Sequence, residues 1–140
     1  MGTAPRVFKF AIGSDDASAR KVQRAIIAEV KRRKFDSDAV FAIRLCLGEA
    51  LINAIKHGNL GAPDKQVHIE AKVGARQIEI TIEDEGLGFD RAAVPNPTLD
   101  ENLHKCSGRG IHLIEAYMDK VQWSRGGRRV KMVRRNGHGR

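Results

Sequence analysis

The stretch "VHIEAKVGARQIEITIED", residues 67–84, alternates apolar and polar side chains on either side of a short polar break. Neighbouring side chains of a strand point to opposite faces, so Val67, Ile69, Ala71 and Val73 fall on one side, as do Ile78, Ile80 and Ile82. With "GARQ" (74–77) as the turn, the two runs form an antiparallel hairpin whose apolar face must be covered. The rest of the chain supplies the cover.

Upstream, "RVFKFAI" (6–12) reads as a strand with Phe8, Phe10 and Ile12 on one face. "SDD" (14–16) offers caps for a helix over 16–33, in which Val22, Ile26 and Val30 recur every four residues. "KFDSD" (34–38) caps a second helix over 37–57, which ends in "HGNLGAPDK", where Gly58, Gly61 and Pro63 are breakers. Downstream, residues 91–107 lack a period and contain "PNP", so they read as a long loop, with Cys106 in it. A helix from Gly108 to Met118 follows, and then a closing hairpin of "VQWS" and "RRVKMVR" around "RGG". The order β-α-α-β-β-loop-α-β-β predicts an α+β, two-layer sandwich, with helices on one face of a mixed, mostly antiparallel sheet. A single domain over 1–134 and a basic C-terminal tail over 135–140 are expected.

Composition agrees with one globular unit. The chain has 140 residues, 41% hydrophobic and 30% charged, enough for a core without disulfides. No run has the length and apolarity of a membrane span or a signal peptide, so a cytoplasmic protein with no membrane partner is expected. Cys46 and Cys106 have no metal-ligand spacing and read as reduced thiols. The formal charge of +8 is concentrated in "SRGGRRVKMVRRNGHGR" (124–140). That segment is either a solvated edge strand with a frayed tail or a contact for an acidic partner. Nucleic acid is disfavoured, because one Trp and one Tyr make a thin stacking surface.

Three short motifs carry chemistry. In "EALINAIKHGN" (49–59) the helical step sets Glu49, Asn53 and His57 on one polar stripe, each offset about 40° from the last. A carboxylate and a carboxamide one turn apart are the hard oxygen ligands that Mg²⁺ accepts while riding on nucleotide phosphates. His57, at the helix C-terminus, suits the dipole there. In "EDEGLGFD" (83–90), Asp84 ends an apolar strand, where its carboxylate can receive a hydrogen bond from an exocyclic amine such as that of adenine. Gly86 and Gly88 allow close approach of a ligand to backbone. In "SGRGIHLI" (107–114), Gly108 and Gly110 open a helix, an anion-binding end, and Arg109 adds a positive charge. Neither a Walker A loop nor a dinucleotide-binding glycine fingerprint occurs.

In this order the three motifs resemble the N box and the two glycine boxes of the GHKL-type ATPases, whose shared architecture is the Bergerat fold. Within that superfamily the chain is similar to the bacterial anti-sigma factor serine/threonine-protein kinases. The resemblance implies ATP and Mg²⁺ as cofactors. It implies Asn53 as the Mg²⁺ ligand and Glu49 as general base. It implies Asp84, Gly86 and Gly88 at the adenine, Gly108, Arg109 and Gly110 at the phosphates, and His57 in a supporting role at the nucleotide site. Residues 91–107 would be a lid. It further implies a small antagonist protein as substrate, a sigma factor as the sequestered partner, and a homodimer. A chain of this length is expected to lack the phosphorylated-histidine helix of the sensor kinases. In "GGRRVKM" (126–132), Arg128 and Arg129 stand where the family often carries a Thr. Two other readings stay open here, a non-catalytic nucleotide-dependent protein-binding regulator and a nucleic-acid binder acting through the basic C-terminus.

Overall fold

The computed structural model describes residues 4–86 and 106–137, with the helical backbone alone for 106–109. Five strands form one sheet: β1 (Arg6–Gly13), β2 (Gln66–Val73), β3 (Gln77–Glu83), β4 (Lys120–Ser124) and β5 (Arg129–Arg135). The helices are α1 (Asp16–Arg32), α2 (Ser37–Ile52), which runs on into a π-helical segment (Asn53–Gly58), and α3 (Cys106–Tyr117). Strand order is β1-β2-β3-β5-β4. Every pairing is antiparallel among the described residues, so the expected parallel component does not occur there.

The hairpin of residues 67–84 behaves as its alternation demands. Val67, Ile69, Ala71, Val73, Ile78, Ile80 and Ile82 are all buried, and the pairings Val73↔Ile78, Ala71↔Ile80 and Ile69↔Ile82 align the two apolar rows. Onto that face pack Val22, Ile26 and Val30 of α1, Ile43, Leu47 and Leu51 of α2, and Ile114 of α3, in one continuous core. Burying side chains of this size stabilises the fold by about 1.5–3 kcal/mol each. The opposite face of the sheet is solvated and matches charge across strands, with Lys9 opposite Glu70, Lys72 opposite Glu79 and Glu83 opposite Arg129.

Caps fall where the polar clusters stand. The Asp15 carboxylate accepts the Ser18 N–H at 2.8 Å to start α1, and that of Asp36 accepts the Ala39 N–H at 3.3 Å to start α2. Glu29, on α1 and 4% exposed, accepts from Arg32 at 2.7 and 2.9 Å and from Arg33 at 2.8 Å. Those guanidinium hydrogen bonds hold its carboxyl down at about 2, well below the ordinary value.

The sequence expectations change in four places. The segment for which a solvated edge strand is one of two readings supplies β5, an interior strand between β3 and β4, because Val130 and Met132 pair with Ile82 and Ile80 and enter the core. The edges of the sheet are β1 and β4. Near the chain end, the Asn136 N–H bonds the Arg76 carbonyl at 2.8 Å, and the Gly137 N–H bonds the Asp36 carboxylate at 2.7 Å. Helix α3 starts at Cys106, which puts that cysteine in its first turn and not in a loop; packing against α2 outweighs the poor helix propensity of Gly108 and Gly110. Finally, α2 does not stay α-helical to residue 57 but widens into the π-helical segment at Asn53.

Candidate functional site

The site is built where the C-terminal end of α2, the turn after β3 and the start of α3 meet. One face of helix α2 is packed, with Ala39, Ala42, Ile43, Cys46, Leu47, Ala50 and Leu51 buried. Glu49 and Asn53, both half-buried, lie along one border of that buried face, between it and the exposed arc that carries Phe41 and Arg44. The π-helical turn follows at once, marked by the Asn59 N–H bonding the Ala54 carbonyl at 2.8 Å, five residues back. Single π turns inside α-helices concentrate at functional sites. His57, in that turn, is exposed.

Helix α3 arrives against the same border. A Cβ placed on Gly110 would stand 2.7 Å from Glu49 Oε2 and 3.6 Å from Asn53 Nδ2, so the glycine lets the α3 backbone lie directly on both side chains. Asn53 Nδ2 is buried and has no hydrogen-bond partner among the described residues. A carboxamide in that state is poised for a ligand, since leaving a buried polar group unmade costs about 1–3 kcal/mol. The sequence reading put both glycines at the open mouth of α3. With the helix starting at Cys106, Gly110 falls in its second turn, past the four N–H groups that lack intrahelical acceptors. Its contribution is close approach to Glu49, and Gly108 remains in the first turn.

Asp84 directly follows β3 and is 8% exposed. Its Oδ1 accepts the Gly86 N–H at 2.8 Å. Burial pushes its carboxyl pKa up, against the lowering effects of the Gly86 N–H and of the Arg128 and Lys65 charges. A buried carboxylate with one oxygen bonded to backbone keeps acceptor capacity for a donor from a ligand.

One residue of this cluster escaped its role in the sequence reading. Gly58 reads as a helix breaker, yet a Cβ on it would run into the Asp84 carboxylate, and a Cβ on Gly86 would run into the Gly58 carbonyl. Three positions from two motifs therefore interlock, and the glycines at 58 and 86 are what let them come so close. The N-box spacing hinted at this, since Gly58 lies next to His57, but nothing in the sequence said what would approach it. Positive φ, the usual reason for a glycine, applies instead at Gly61, after Leu60, itself at φ 54°.

Cys46, one turn before Glu49, is buried, and its burial pushes the thiol up to about 12, so it is an inert packing residue. Several C-terminal basic groups are engaged within the fold: Arg134 donates to the Tyr117 carbonyl at 2.7 Å, and Arg125 pairs with Glu83 at 3.1 Å. Gly88, residues 91–105 of the expected lid, and the side chain of Arg109 lie outside the described residues. Among the described residues no group of three or more His, Cys, Asp or Glu could hold a metal by itself, and no helix is long and apolar enough to cross a membrane.

Comparison with known proteins meets this geometry from outside. Residues 12–134 match the family model of the histidine kinase-like ATPase domain. The anti-sigma F factor of Halalkalibacterium halodurans is 34% identical over 111 residues, covering 77% of this chain and 73% of that protein. The anti-sigma F factor of Oceanobacillus iheyensis is 33% identical over 114 residues, covering 79% and 75%. Among solved structures, the crystal structure of the RsbU and RsbW domains of Rv1364c from Mycobacterium tuberculosis superposes with a TM-score of 0.57 at 15% identity. It covers 94% of this chain, which spans 31% of that longer one, and the likeness concerns the fold. The chain belongs to the histidine kinase-like ATPase domain family, and its similarity within that family is to the anti-sigma factors.

Proposed function

We propose that the protein is a Mg-ATP-dependent serine/threonine-protein kinase of the anti-sigma factor type. It phosphorylates a small antagonist protein and holds a sigma factor in the alternative state of a partner switch. The observation that carries this reading is the convergence of Glu49 and Asn53 with Gly110, one helix pressed on the polar stripe of another. A binding module would need the nucleotide ligands but no half-buried carboxylate beside them.

The residues fit the group they would hold. The unpartnered Asn53 carboxamide can turn to present its oxygen to a hard cation, and Gly110 leaves that space open. Mg²⁺ would supply charge neutralisation on the phosphate oxygens. Asp84 accepts a hydrogen bond from the exocyclic amine of the base. As the resemblance implies, Gly108 and Arg109 would bind the phosphates, Gly86 and Gly88 would line the base, and His57 would play a supporting role. Glu49 receives the proton of the attacking hydroxyl as the serine oxygen bonds to the terminal phosphorus and the bond to the bridging oxygen breaks. Phosphoryl transfer asks little more of the protein than this positioning.

The test is incubation with γ-labelled ATP and the cognate antagonist. Glu49→Ala should lose transfer while keeping most nucleotide affinity, and Asn53→Ala should lose the magnesium dependence of binding. Transfer persisting in the Glu49 variant would remove Glu49 from the role of base.

A further inference from the structure

Asn59 is fully buried, the most completely enclosed polar residue of the buried set. Three of the four hydrogen bonds its carboxamide can make are formed, including both N–H donors. Its Oδ1 accepts the Glu85 N–H at 2.8 Å, and its Nδ2 donates to the Gln66 carbonyl at 2.9 Å and to Ser14 Oγ at 3.1 Å. Ser14 in turn donates to the Lys65 carbonyl at 2.7 Å. Glu85 closes the ring, accepting the Gln66 N–H at 3.0 Å through one carboxylate oxygen, with His68 Nε2 3.0 Å from the other. One side chain thereby joins the end of the π-helical segment, the exit of β1, the entry of β2 and the turn that carries Asp84 and Gly86.

Glu85 sits between those two residues, so fixing its N–H fixes the turn on both sides. Gly58, the immediate neighbour of Asn59, packs against the same Asp84 carboxylate. Neither Asp nor Ser would serve at position 59. Asp would bury a charge against two acceptors, and a single hydroxyl cannot span three partners.

We propose that Asn59 is a positioning residue for base selection: it sets the Asp84 turn so that the site accepts a base with an exocyclic amine and rejects one with an exocyclic carbonyl. The inference rests on the nucleotide reading of the site. Adenine offers an amine donor where guanine offers a carbonyl acceptor, and a carboxylate acceptor discriminates between them only if held in place. With the Glu85 anchor gone, the turn relaxes and Asp84 loses its fixed distance from the base.

The experiment compares wild type, Asn59→Ala and Ser14→Ala for calorimetric affinity to ATP and to GTP in Mg²⁺, and for amide exchange at Glu85 without nucleotide. In Asn59→Ala the ATP Kd should rise about tenfold, the preference for ATP over GTP should shrink by a similar factor, and the Glu85 amide should exchange faster. Ser14→Ala, which removes one partner of Nδ2, should move the same readings in the same direction by less, and it decides the matter if Asn59→Ala does not fold. An unchanged ATP-to-GTP ratio in the variants, with wild type binding ATP, overturns the proposal and leaves the nucleotide reading intact. Wild type that binds neither nucleotide overturns both.

Discussion

Glu49 Oε2 stands 2.7 Å from where the Cβ of a residue at position 110 would be. Gly110→Ala therefore puts two effects in opposition. Alanine favours the α3 helix by about 1 kcal/mol over glycine, so the thermal midpoint should hold or rise. The methyl group meets the movable end of Glu49 and displaces it, so phosphoryl transfer should fall by about tenfold to a hundredfold. Scanning calorimetry beside a transfer assay separates the two, and a variant with wild-type turnover would mean that Glu49 tolerates the shift.

Gly58 and Gly86 predict different costs for the same change. At Gly58 the added methyl pushes on the Asp84 side chain, which can rotate, whereas at Gly86 it pushes on the Gly58 backbone carbonyl, which cannot. Gly86→Ala should destabilise by about 1–3 kcal/mol. Gly58→Ala should cost less stability but a comparable share of nucleotide affinity. Urea unfolding of both variants, read with ATP titrations, checks the order.

Asp84 is a site where binding and stability pull apart. Burial raises its pKa in the folded state, so the fold holds that proton more tightly than the unfolded chain does. The associated stability is full at low pH and is lost as pH rises through the raised value. Asp84→Asn carries no such charge and can keep the Gly86 N–H bond, so its unfolding free energy should exceed that of wild type increasingly toward neutral pH. Its ATP affinity should drop by about tenfold. Denaturation of both proteins across pH settles the sign.

Glu29 titrates the other way. Its pKa falls from 4.5 to about 2 through its hydrogen bonds to Arg32 and Arg33, so its contribution is present above about 4.5 and is lost as pH falls toward about 2. Glu29→Ala leaves Arg33, 7% exposed, without this carboxylate and should cost on the order of 3 kcal/mol at neutral pH. The penalty should shrink through that acid window in paired denaturation curves.

The architecture was legible because period and burial coincide. The alternation over 67–84 fixed both hairpin strands and their core face, and the recurrence of Val22, Ile26 and Val30 fixed the buried side of α1. The three motifs were visible as separate patches, but their mutual contacts were not. Gly110 against Glu49 and Gly58 against Asp84 are approaches between elements distant in sequence, and no local pattern encodes them. Asn59 escaped for a related reason: its three partners lie at residues 14, 66 and 85, and an asparagine after a glycine reads locally as a turn former. The interior place of β5 was missed because its charged residues alternate with apolar ones, and arginine density masked the alternation.

The widened turn over Asn53–Gly58 also changes the heading of the chain. A helix bonded five residues back, where the turns before it bond four back, holds one residue more per turn than an ordinary helix. Everything before it keeps core register, and everything after it is rotated onto a new heading. The extra residue thus lets one continuous rod obey two masters, packing Leu47 and Leu51 into the interior and still delivering Gly58 to Asp84. Deleting a single residue between 53 and 58 would restore the ordinary spiral and turn that delivery away.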